Sequence, residues 1–175
     1  MKNETIVAQL NIINENIKNF INSRKIIKED VKKAFEPIDS LIYKEQIRVI
    51  SDSRLTPKVQ STIFGALRTL NNSLSSMKIS LLLAFERGEN PTTAEKCEEI
   101  MPNIFDVTKS IRSFNPYIKN SESQINYIFN SSRSLHKKAK IMGFEKNIED
   151  EIKELKLDPS KVNEFVDMMN NNLED

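Results

Sequence analysis

Tryptophan is absent from this chain, histidine and cysteine occur once each, and glycine occurs three times in 175 residues. Each scarcity excludes something. The single cysteine, Cys97, permits no internal disulfide, which leans towards a reducing, cytoplasmic setting. One histidine and one cysteine are too few for a structural zinc site. Arg133 stands three residues before His136, so the paired Glu-x-x-His motifs of a di-iron bundle are missing. So few glycines disfavour a β-rich fold, whose tight turns need them. No Gly-rich phosphate loop and no Gly-x-Ser-x-Gly elbow occurs. Long apolar runs are lacking too. The longest, Leu81-Leu82-Leu83-Ala84-Phe85, falls far short of the roughly 18 residues of a membrane span. The opening Met1-Lys2-Asn3-Glu4 lacks the charged-then-apolar order of a signal peptide. The expectation is a protein with no catalytic residue, no cofactor, no metal ligand set and no implied small-molecule substrate.

What the chain does have is helical periodicity. From Cys97 a three-then-four step recurs through Ile100, Ile104, Val107, Ile111, Phe114, Ile118, Ser121, Ile125, Ile128, Ser132, Leu135, Ala139 and Met142. Such a step lays one mostly apolar stripe along a helix or along collinear helices. Ile6, Leu10, Ile13, Ile17 and Phe20 begin an earlier stripe, which resumes after Arg24 at Ile27, Val31, Ala34, Ile38 and Leu41. Pro37 is the expected break in it, with a kinked continuation as the alternative. Thr56-Pro57 reads as a cap followed by proline at the first helical position. From there Val59, Ile63, Leu67, Leu70, Leu74, Met77, Leu81 and Ala84 keep heptad spacing up to Gly88. Gly65 and the serines at 73, 75 and 76 weaken that helix and leave room for close helix approach. Thr92-Thr93-Ala94-Glu95 matches a capping box. Pro102 and Pro116 divide the longest stripe into two or three collinear pieces.

These features predict an all-α fold: an elongated antiparallel bundle of three to four long, partly proline-kinked helices with coiled-coil-like packing. Residues 1–143 form the bundle. Residues 144–175 carry two short acidic helices as an appendage, the first around Ile148, Ile152 and Leu155 and the second opened by Asp158-Pro159.

Net charge is only +1, so no global field steers the protein to nucleic acid or an anionic membrane. The charge is uneven, however: residues 145–175 sum to −6 and the rest of the chain to +7. Two basic clusters stand out. Arg133, His136, Lys137, Lys138 and Lys140 form one, and Lys25, Lys28 and Lys32 anchor the other, which Glu29 and Asp30 interrupt. Both are candidate anion or partner contacts, and neither interleaves aromatics for base stacking. The acidic tail is a candidate partner for the first cluster. The function most consistent with the sequence is a non-enzymatic α-helical interaction module that binds a protein partner or self-associates as a homodimer. A nucleic-acid-binding accessory protein acting through Arg133–Lys140 is the alternative, and an anionic membrane-surface scaffold is the second, disfavoured by the near-zero net charge.

Overall fold

The computed structural model describes residues 5–88 and 91–144. Among them are five helices and no strand: α1 (Ile6–Ser23), α2 (Lys28–Ser51), α3 (Pro57–Glu86), α4 (Thr92–Arg112) and α5 (Ser121–Ile141). The described residues are all-helical, as the periodicity predicts, with one more long helix than the three to four expected. The two acidic helices expected beyond residue 144 lie outside the described residues.

Local chemistry sets most helix ends. The Thr5 hydroxyl accepts from the Ala8 N–H at 3.1 Å, and Thr56 accepts from Val59 at 3.4 Å with Pro57 at the first helical position. Gly143 closes α5 in the left-handed region, φ 82°. Its N–H donates to the Lys140 carbonyl, and the Phe144 N–H donates to that of Ala139. This is the Schellman arrangement, whose apolar residue after glycine tucks against the helix. Phe144 accordingly is buried in the core and belongs to the bundle.

Three sequence expectations are corrected. First, the break in the early stripe falls at Arg24, not at Pro37. Arg24 adopts φ 50°, its N–H and that of Lys25 turn back to Ile21 and Phe20, and Ile26 plugs the corner. Pro37 lies inside α2 and Pro102 inside α4. Second, the capping box at Thr92 does not form. Pro91 is the cap residue and makes no side-chain cap bond, while its carbonyl accepts from Glu95. Third, the long stripe is not collinear. The chain leaves helix between Arg112 and Ser121, through Pro116, and α4 and α5 pack against each other.

α3 and α4 are the centre. α3 packs on α2, α4 and α5, and α4 packs on α1, α3 and α5. α1 and α2 pack on one another, and each covers one central helix. The core is therefore drawn mainly from α3 (Leu67, Leu70, Leu74, Met77, Leu81) and α4 (Cys97, Ile100, Ile104, Val107). α1 adds Leu10, Ile13, Ile17 and Phe20. α5 contributes only Ile125, Ile128, Leu135 and Ala139, and leaves most of its circumference in solvent.

Candidate functional site

α5 brings the strongest basic cluster to the surface because its buried stripe is narrow. Arg133, His136, Lys137 and Lys140 are exposed, and Lys138 is partly covered. Arg133 and His136 line a groove of about 500 Å³ between α5 and α3. Its other walls are Phe129 and Ser132 on α5 and Ser61, Thr62, Gly65, Ala66 and Thr69 on α3. Lys137 and Lys140 follow Arg133 and His136 by one turn and extend the same side of the helix.

The groove exists because of side-chain size. Ser61, Gly65 and Thr69 recur every fourth residue, so one face of α3 carries a stripe of small side chains. Gly65 is exposed, and a Cβ added there would meet no atom within 4 Å. Ser132 occupies a position of the α5 stripe where a leucine would have filled the space. Phe129 stands at the lip with 56% of its surface exposed, and Ile141 near the end of the same helix is 75% exposed.

The second basic cluster resolves differently. Lys28 donates to the Glu86 carboxylate and lies over the Phe85 ring, 5.7 Å from its centre. The hydrogen bond from Lys28 holds the Glu86 carboxyl below its ordinary range, aided by the charge of nearby Lys32. Lys28 thus closes the contact between α2 and the end of α3. Lys25 sits exposed in the corner between α1 and α2, and Lys32 is exposed on α2. The two clusters are not brought together. Arg133 and His136 face α3 around residues 61–69, whereas Lys28 meets it at Glu86, about 25 Å further along at 1.5 Å per residue.

Cys97 is fully buried in the core, and burial pushes its thiol far above the ordinary range, so it is packed as a small apolar side chain. The hydroxyls of buried Thr108 and Ser110 donate to carbonyls of their own helix, those of Ile104 and Val107. Among the described residues no group of three His, Cys, Asp or Glu is placed to hold a metal ion, and no helix is long and apolar enough to cross a membrane.

No family model, curated protein or solved structure matches this chain. Its function must be read from its own surfaces. The sequence marks Arg133–Lys140 by charge and Gly65 by size. It gives no sign that these residues, on helices far apart in the chain, face one another, and it does not mark Phe129.

Proposed function

We propose that the protein is a non-enzymatic interaction module that takes a helix of a partner protein into the groove between α3 and α5. The observation that carries the reading is the open groove itself: a floor of small residues centred on Gly65, an exposed aromatic at the lip, and a basic flank. A helix can approach closely only where the opposing side chains are small, and an apolar anchor with charged flanks is the usual form of helix-in-groove recognition. Arg133, His136, Lys137 and Lys140 favour a partner helix with an acidic flank. The same reading has consecutive helices running antiparallel, with coiled-coil-like packing and bends at Pro37 and Pro102; the short connections and heptad stripes support it.

Gly65 provides the test, since its position has space for a side chain. A displayed library of helical peptides selected against the full chain is expected to enrich acidic amphipathic sequences. Gly65→Phe should fill the groove and weaken them by at least about tenfold, as a lost buried anchor does. Gly65→Ala should retain them while stabilising α3 by about 1 kcal/mol. Peptides that bind Gly65→Phe equally well would refute the groove. A dimer in light scattering that Gly65→Phe converts to monomer would identify the partner as a second copy. Retention on a polyanion column that falls steeply with salt, lost on charge reversal at Arg133 and Lys137 and unchanged in Gly65→Phe, would favour nucleic acid instead.

A further inference from the structure

A second concavity opens at the other face of α3. It measures about 400 Å³ and is walled by the start of α1, by α2, by α3 and by the end of α4. Ligand pockets commonly span about 300–1,000 Å³, so this cleft is of a size to hold a small molecule. Its floor is apolar: Leu41 from α2, Leu67 from α3 and Ile111 from α4 meet there, with Val7 at the lip.

The rim is cationic, and its charges are unevenly satisfied. Arg48 is already engaged, since its Nε and Nη2 donate to the two Glu45 carboxylate oxygens at 2.9 and 2.6 Å. Lys44 and Arg112, which also line the cleft, take part in no ion pair among the described residues. Arg112 comes from the last turn of α4 and Lys44 from the middle of α2, so two helices converge two unpaired cations on one apolar hollow.

From this juxtaposition we infer that the cleft binds a single-chain amphiphile with an anionic carboxylate head: the aliphatic chain lies on Leu41, Leu67 and Ile111, and the head sits between Lys44 and Arg112. The two halves of the site call for the two halves of such a ligand. A purely polar anion would leave the floor wet, and a neutral hydrocarbon would leave the cations without a counter-charge. Arg112 presents a planar fork suited to a carboxylate, and Lys44 adds a compact charge. The site is independent of the α3–α5 groove and uses none of its residues.

The probe is decanoate, at monomeric concentrations, titrated into the full chain with methyl-labelled Ile, Leu and Val and followed by NMR. Decanol and decylamine serve as the neutral and cationic counterparts. Saturable shifts at Val7, Leu41, Leu67 and Ile111 are expected, with decanoate binding tighter than decanol and decylamine weakest. Lys44→Gln and Arg112→Gln should each weaken decanoate by about tenfold, the size of one charge-assisted hydrogen bond, and leave decanol unaffected. Lys18→Gln, an exposed cation on α1 outside the cleft, should change little. The inference is overturned by non-saturable shifts, by shifts centred on Ile125, Ile128 and Ile141, by decylamine binding as well as decanoate, or by equal losses in Lys18→Gln. Binding to anionic vesicles without binding to free decanoate would likewise replace the cleft with a lipid-surface contact.

Discussion

Gln9 ties α1 to the turn of α2 that holds Pro37. A proline inside a helix donates no hydrogen bond to the carbonyl four residues back and crowds it, which costs about 3 kcal/mol or more. In α2 the crowded carbonyl is that of Lys33, and the neighbouring Ala34 carbonyl receives the side-chain amide of Gln9 from α1. Gln9 is buried, so the bond is made away from water. Gln9→Leu keeps the apolar bulk and removes the donor. It should destabilise the bundle by about 1–3 kcal/mol, the penalty for a buried polar group left unpaired, read as the shift in urea midpoint. If the amide offsets the disturbance Pro37 makes beside it, the cost should shrink when Pro37→Ala is made first, because an N–H at position 37 then serves the Lys33 carbonyl and lets the Ile38 N–H close regularly on Ala34. Additive effects in that double-mutant cycle would show that the amide and the proline are unrelated.

Among the elements, the corner from α2 to α3 is the one most tightly organised by charge. The Asp52 carboxylate accepts from the Arg54 backbone N–H at 3.1 Å and from its guanidinium at 2.8 and 2.6 Å, and Arg48 stands 3.9 Å away. The Gln60 amide reaches back to the Val49, Ile50 and Asp52 carbonyls at the end of α2. Hydrogen bonds from Arg54, with its charge and that of Arg48, lower the Asp52 carboxyl from 3.8 to about 2. A carboxyl whose folded value lies below its unfolded one stabilises the fold above the unfolded value, and that contribution fades as pH falls towards the folded value. The difference in urea midpoint between the natural chain and Asp52→Asn should therefore be full at pH 5 and shrink steadily from pH 4 to pH 2. A difference that stays constant over that range would mean that the ionised carboxylate does not hold the corner. Such elements also show what the sequence reveals. Thr56-Pro57 and Gly143 are legible because the chemistry that ends or starts a helix there lies within a few residues. Pro37 misleads because a proline can be held inside a continuing helix, and Arg24 shows in the sequence only as a gap in the stripe because nothing about arginine announces a left-handed residue. The α4–α5 stripe reads as continuous because both helices carry an apolar face at the same spacing, so periodicity alone is blind to the non-helical stretch between Arg112 and Ser121. The basic cluster on α5 was visible as charge. Its groove was not, since Gly65 and Phe129 meet only after α5 has packed on α3, and Lys44 and Arg112 converge from helices with α3 between them in the chain.

For the molecule as a whole, stability is graded from its centre outward. Among the described residues α3 buries ten residues and α4 nine, whereas α5 buries four and packs chiefly on those two. Apolar area removed from water is the main term holding a helix to its neighbours, about 25 cal/mol per Å², and it is smallest where one face alone is covered. Yet α5 supplies the aromatic lip and basic flank of the proposed docking groove. A helix that buries few residues can open while the centre stays folded, and binding surfaces are commonly drawn from such low-stability regions. Native-state hydrogen exchange should therefore find the amides around Ile128 and Leu135 exchanging at least about tenfold faster than those around Leu70, Leu74, Ile104 and Val107, through an opening that depends only weakly on urea. A selected peptide seated between α3 and α5 should slow the α5 amides specifically, because it binds the closed helix and not the open one. Equal protection in α3, α4 and α5, merging into one urea-dependent opening, would make the bundle a single cooperative unit and remove the physical basis for treating α5 as an adaptable wall.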